Sequence, residues 1–226
     1  MKEQWAAIQE RLRRRLDIPA EGAGYRPVAG DCFVALDIQY AGEEGFVAMA
    51  VGHWAQPGTA VFVSRQQVDQ PYIPGYFSFR EGPLLQRALE QLGAEKQIHP
   101  QLLIVDGHGT AHPRKMGIAC WLGLQLDTPA IGVAKEPLMK QPYTLAEEKG
   151  STHPVLLDEE IVGCVLRTRT GVKPVFVSSG HRVAQQEAVR IALALTGPYR
   201  IIEPIRQADQ AARAFQRGGV EGFSSL

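Results

Sequence analysis

The chain has 226 residues, 45% of them hydrophobic and 21% charged, and its 24 basic residues balance 24 acidic ones. These totals fit a soluble globular protein with a full core and argue against a global electrostatic pull on polyanions, although RLRRRL at 11–16 is a local basic patch. The three cysteines, Cys32, Cys120 and Cys164, lie in apolar strings without CxxC spacing, so they read as core thiols of a reducing compartment, not as disulfides or zinc ligands.

In chain order, Trp5, Ile8, Leu12 and Leu16 recur at helical spacing and predict an amphipathic helix with arginines on its wet side. This first segment has no apolar leader, and no stretch approaches membrane-spanning length, which predicts a cytoplasmic protein without a membrane partner. CFVALDIQY (32–40), GFVAMAVGHW (45–54) and TAVFVSR (59–65) read as strands, and the short turns AGEEG and AQPG make them antiparallel neighbours. A helix follows with Pro83 in its first turn and Leu85, Leu89 and Leu92 along one side, which places Glu81 at the helix start. QLLIVDG (101–107) and PAIGVAK (129–135) are apolar enough to be central strands, and RKMGIACWLGLQL (114–126) between them reads as helical. EEIVGCVLRT (159–168) and KPVFVSS (173–179) read as strands, and RVAQQEAVRIALAL (182–195) and IRQADQAARAFQ (205–216) as helices. With no repeat, linker or composition break, the expectation is one domain over 1–217 and a loose tail over 218–226. The element order predicts an α/β fold: a ribonuclease H-like mixed sheet, three antiparallel strands and then parallel ones, with helices on both faces.

Three acids stand in unusual places. Asp37 lies mid-strand, where a carboxylate is costly to bury unless a cation or hydrogen-bond donors satisfy it. Its ordinary alternative is a strand-end acid reaching water or an arginine. Asp106 ends an apolar strand and precedes Gly107 and Gly109, at the kind of strand terminus where α/β sheets build sites; its alternative is a turn aspartate. Glu81 alone reads as a helix-dipole acid. Converging at one sheet end, the three would form a hard oxygen site suited to Mg²⁺ or Mn²⁺, able to activate water against a phosphoryl group. Lys135 ends its strand as Asp106 does, and could hold the phosphate or the attacking water.

PYIPGYFSFREGP (71–83), LLIVDGHGTAHPRKMGIA (102–119), PAIGVAK, PVFVSSGHRV (174–183) and EPIRQAD (203–209) resemble, in order, the successive motifs of the endonuclease V family. The resemblance implies a ribonuclease H-like fold and Mg²⁺-dependent cleavage, with Mn²⁺ as a substitute, of the second phosphodiester bond 3′ of hypoxanthine. The implied products are 3′-hydroxyl and 5′-phosphate ends, and the implied partner is inosine-containing DNA, with inosine in single-stranded RNA and a non-catalytic reader of nucleic acid as the alternatives. It matches Asp37, Glu81 and Asp106 to the family's metal-binding acids, Asp209 to a position held by Asp or His, and Lys135 to a lysine near the scissile phosphate. It matches Tyr72 to a wedge residue in a segment stiffened by Pro71 and Pro74. Gly75, Gly107, Gly117, Ile118, Ala134 and Leu138 match segments lining the base pocket, and His112 matches the histidine of an HPR motif. The expected state is a monomer. Two departures stand out: Leu36 and Gln39 flank the first acid, and Cys120-Trp121 replaces a common Ser-His, which bears on the groove wall. His181 reads as setting a strand-to-helix turn, His53, His99 and His153 as surface or turn residues, and Trp54 and Phe77 as packing.

Overall fold

Alternating apolar residues and short polar turns make the three runs after residue 31 pair as a meander. β1 (Cys32–Ala41), β2 (Glu44–His53) and β3 (Thr59–Gln67) are antiparallel, with Cys32 opposite His53 and Ala41 opposite Glu44. The computed structural model describes residues 2–71 and 73–218, together with the backbone of 224–225. Helix α1 (Lys2–Arg13) precedes the meander, and α2 (Phe77–Lys96) follows it. Then come β4 (Leu102–Asp106), α3 (Ile118–Gln125), β5 (Ala130–Ala134), β6 (Thr152–Leu157), β7 (Glu160–Leu166), β8 (Val175–His181), α4 (Gln185–Ala194), α5 (Glu203–Gln216) and the two-residue β9 (Ser224–Ser225).

The strands form one mixed sheet in the order β6-β7-β8-β5-β4-β1-β2-β3-β9. Its parallel part is shorter than the element order suggests. Among the described residues only β1·β4 and β4·β5 run parallel, while β8, β7 and β6 continue antiparallel. β6 carries Pro154 and sits at the sheet edge, the place a strand proline tolerates. Of the segment expected to be a loose tail, Ser224 and Ser225 pair with Val63 and Phe62; 219–223 and 226 lie outside the described residues.

Two cores flank the sheet. On one face Val34, Leu36 and Met49 pack against α2 and α3; on the other Ala35, Ala48 and Ala50 meet Ala208, Ala211 and Ala212 of α5. Alanine against alanine lets a helix lie close to a sheet, so even a short side chain on α5 reaches β1. Among the described residues no helix is long and apolar enough to cross a membrane.

Two boundaries differ from expectation. α2 starts at Phe77, so Glu81 sits in its second turn and not at its start, and Pro83 is inside the helix. The dipole argument for Glu81 therefore falls, because that field fades beyond the first turn. α3 covers only Ile118–Gln125; Arg114–Gly117 are loop, since Gly117, the N-cap, is extended and packed on the preceding loop.

Candidate metal centre

The ladder between β1 and β4 ends with Leu36 opposite Val105, and β1 then runs on to Ala41. Asp37 is thus mid-strand in sequence yet stands where its parallel neighbour stops. Asp106 is the last residue of β4, and Lys135 follows the last residue of β5. Three adjacent parallel strands therefore present Asp37, Asp106 and Lys135 at their carboxyl ends, where open α/β sheets place their sites. α5 crosses the same face and adds Asp209. One carboxylate oxygen each from Asp37, Asp106 and Asp209 lie within 4.8 Å of one another.

Lys135 ties this group together: Nζ lies 2.6 Å from Asp106 Oδ2 and donates to Asp209 Oδ1 at 2.8 Å. Arg213, one turn beyond Asp209, donates through Nε to Asp209 Oδ2 at 2.9 Å. Gln39 Nε2 donates to Asp37 Oδ2 at 3.1 Å. Glu81 is brought near but stands outside the three-acid group. It is 4% exposed, rises from α2 on the opposite face, and accepts a hydrogen bond from the Tyr40 hydroxyl at 3.1 Å.

The electrostatics are lopsided. Burial, and then the charge of Asp106, push the Asp37 carboxyl up to about 7, with Lys135 pulling the other way. Burial raises Glu81 well above the usual range; the Tyr40 bond opposes this and Asp37 and Asp106 add to it. Burial also acts to raise Asp209, but hydrogen bonds from Arg213 and Lys135 outweigh it and hold it low. Four carboxyl groups thus share three cations, Arg80 beside Glu81 and Lys135 and Arg213 beside the aspartates, and the ionised forms of Asp37 and Glu81 are disfavoured without a further cation. A compact, oxygen-only donor set with unbalanced negative charge and no thiol or imidazole among its three members fits a hard dication such as Mg²⁺.

Of the residues expected to line a base pocket, Gly107, Ala134 and Ile118 adjoin this centre. Gly107 follows Asp106, Ala134 precedes Lys135, and Ile118 at the start of α3 lies so close to Gly107 that a Cβ there would fall 2.6 Å from its methyl. Gly117 is pressed on the 107–109 backbone: a Cβ on it would sit 2.2 Å from the His108 carbonyl oxygen. Leu138 is exposed and lines a small pocket with His108, Ala111, Met139 and Phe176. Pro74 is exposed and Gly75 half-buried with φ +80°. Tyr72 lies outside the described residues. His112 is buried; its Nδ1 accepts from the Arg114 amide at 3.1 Å, and burial lowers its pKa to about 4. With Nδ1 an acceptor, Nε2 carries the proton.

Cys120 and Trp121 do not form a groove wall. Cys120 is fully buried, with burial pushing its thiol up to about 12, and Trp121 packs over Gly82 of α2. His181 is buried, and its Nδ1 accepts from the Asp17 amide at 3.3 Å, a structural role at the β8–α4 turn. Sequence reasoning missed Tyr40 and Arg213. On β1, Tyr40 faces away from Asp37, so no local pattern ties it to the acids; Arg213 carries the i, i+4 acid-to-base spacing of a helical ion pair.

The Endonuclease V family model matches residues 17–210. An endonuclease V of Roseiflexus castenholzii is 43% identical over 209 residues, covering 91% of this chain and 89% of that relative. The crystal structure of the Streptomyces avermitilis endonuclease V superposes with a TM-score of 0.85 at 36% identity, covering 96% of this chain and 93% of that one. The Ciona intestinalis endonuclease V, solved in complex with a 24mer DNA containing an inosine followed by a ribo-adenosine, gives a TM-score of 0.81 at 26% identity over 95% of this chain and 97% of that one.

Proposed function

This chain belongs to the endonuclease V family, and from that premise we propose that it recognises hypoxanthine in DNA and, with a divalent metal, hydrolyses the second phosphodiester bond on its 3′ side, leaving 3′-hydroxyl and 5′-phosphate ends. The observation that carries this reading is the meeting of Asp37, Asp106 and Asp209 at the strand ends, with Lys135 bonded to two of them.

Asp37, Asp106 and Asp209 would hold Mg²⁺, or Mn²⁺ in its place. When bound, the ion supplies an acidified water and offsets charge on the phosphoryl group. The protein's own groups do the rest. Lys135, already poised between two acids, turns its ammonium to the scissile phosphate and stabilises the charge that builds there. Glu81, held by Tyr40, orients water at the edge of the three-acid group. Arg213 is 55% exposed at its side chain and anchors Asp209, and it leaves a cation facing the approaching backbone.

Selection needs the base out of the stack, because its altered edge is only partly visible in the duplex. The backbone at Gly75, Gly107 and Gly117 would distinguish hypoxanthine from adenine by the 6-oxo group and N1–H, with carbonyl lone pairs as the acceptors at 107 and 117, where the amides already donate to Val133 and Gly109. Ile118, Ala134 and Leu138 supply apolar walls, Pro74 stiffens the approach, and Tyr72 fills the gap left in the stack. Guanine shares both polar features and is refused on its 2-amino group and stronger pairing.

The test is to incubate duplexes that are identical except for one inosine with Mg²⁺ and with EDTA, alongside a matched inosine-containing RNA strand. The reading predicts a nick only in the inosine duplex and only with metal. Preferential cleavage of the RNA would move the substrate to single-stranded RNA, and no cleavage of either with Mg²⁺ or Mn²⁺ would reject the enzyme reading for these substrates.

A further inference from the structure

α1 precedes residue 17, where the match to the family model begins, and the chemistry above does not use it. Its buried face is nevertheless directed at the start of α2 and at the loop before α3. Trp5 stacks on Phe79 with ring centroids 4.9 Å apart and planes 7° from parallel, and meets Tyr76 at 5.8 Å. Gln9, on the same face one turn later, is wholly buried. Its Oε1 accepts from Arg114 Nε, and its Nε2 donates to the Met116 carbonyl at 3.3 Å. Arg114 in turn donates from Nη2 to the Gly75 carbonyl and holds its guanidinium 4.3 Å from the centre of the Tyr76 ring.

A leucine at residue 9 would fill the same space without the cost of burying an amide. What the glutamine adds is direction. By bonding Nε, it fixes the plane of the guanidinium, and a planar fork held on one side aims its remaining donors. One of those donors meets the carbonyl of Gly75, whose φ of +80° most residues avoid. The path from α1 therefore ends at Gly75, Tyr76 and Phe79, the turn before α2 and its first helical turn.

We propose that α1 is a positioning element for base recognition: Trp5, by direct ring contact with Tyr76 and Phe79, and Gln9, through Arg114, hold residues 75–79 so that Gly75 is set to meet the displaced base. This rests on the reading of Gly75 as part of the base pocket. None of these residues touches the reacting atoms, so their effect falls on substrate discrimination and KM and leaves the hydrolytic step alone.

The full chain carrying Gln9→Leu decides it, with KM, kcat and melting temperature measured on inosine and undamaged duplexes. The expected result is a KM for the inosine duplex raised about tenfold, the order of one lost hydrogen bond to a charged group. The preference for inosine should fall and kcat should stay near the parent's. Gln9→Glu keeps the acceptor for Arg114 and should bring KM back towards the parent, which a space-filling role would not do. Should Gln9→Leu not fold, Arg114→Lys, which keeps the charge and loses the fork, must show the same split. A parent-like KM and preference in the variants, or KM and kcat changing in step with lost stability, would overturn the proposal. Hydrogen exchange separates it from the functional reading. The amides of Tyr76 and Phe79 are bonded to the Ile73 and Tyr76 carbonyls, and they must exchange faster in Gln9→Leu while β4 and β5 do not change. Unchanged exchange would remove the brace even if the parent cleaves no inosine substrate, whereas faster exchange would uphold it with the substrate assignment alone in question.

Discussion

Asp37 is 9% exposed, and burial first, then the negative charges of Asp106 and Asp209, disfavour its ionised form. Tyr40 shows how the neighbouring acid is managed: its hydroxyl donates to Glu81, and Arg80 lies 4.6 Å from its ring centre. Tyr40→Phe leaves the buried Glu81 carboxyl group short of a hydrogen-bond partner, so it should cost about 1–3 kcal/mol of stability and lower cleavage, as denaturant melts and nicking rates would read. His112 gives a pH test away from the acids. Its pKa is lowered to about 4 in the folded protein from an ordinary value near 6.5, so the unfolded chain binds the proton more tightly. Its contribution is full above about pH 6.5 and is lost as pH falls towards 4, on the order of 3 kcal/mol in all. The stability difference between the parent and His112→Asn should shrink by that amount across the window; a difference independent of pH would show that His112 is not held neutral.

At the scale of elements, α2 and α3 are fitted to each other. A Cβ on Gly82 would lie 2.4 Å from the Trp121 ring. Alanine usually gains about 1 kcal/mol over glycine in a helix, but overpacking costs about 1–3 kcal/mol. Gly82→Ala should therefore destabilise, and adding Trp121→Leu should recover part of the loss in thermal melts. Such pairings explain what a sequence hides. The meander was legible because its turns are short and polar and its runs alternate. The start of α2 was misplaced because Pro83 looks like a first-turn proline, whereas the helix tolerates it inside. β6 went unrecognised because Pro154 and an exposed edge position remove the alternation that marks a strand. Cys120 and Trp121 looked like a groove departure, yet they lie inward, since only tertiary packing sets which way α3 faces.

For the molecule as a whole, the site is a product of topology. Asp37 was legible as a candidate because it lies mid-strand, and Asp106 and Lys135 because they stand at strand ends, but their adjacency depends on the order β5-β4-β1, and Asp209 arrives from the far end of the chain on α5. Without the family's motifs, Asp209 would have been one helical acid among several. On the proposed function the cluster would also couple metal to stability. Mg²⁺ should raise the melting temperature of the parent in proportion to the logarithm of its concentration above Kd. Asp37→Asn should melt higher than the parent in EDTA, because a buried repulsion is gone, and should gain little from Mg²⁺. A parent melting temperature indifferent to Mg²⁺ and Mn²⁺ would argue against a resident dication.

The central claim is tested most directly by mapping the cut. A 5′-labelled duplex with one inosine, incubated with Mg²⁺ and the parent or Asp106→Ala, is resolved at single-nucleotide length. The account predicts one product from the parent, ending in a 3′-hydroxyl at the second phosphodiester bond 3′ of the inosine, and none from Asp106→Ala although it still binds the duplex. A parent product at any other position, or the same product from Asp106→Ala, would contradict it.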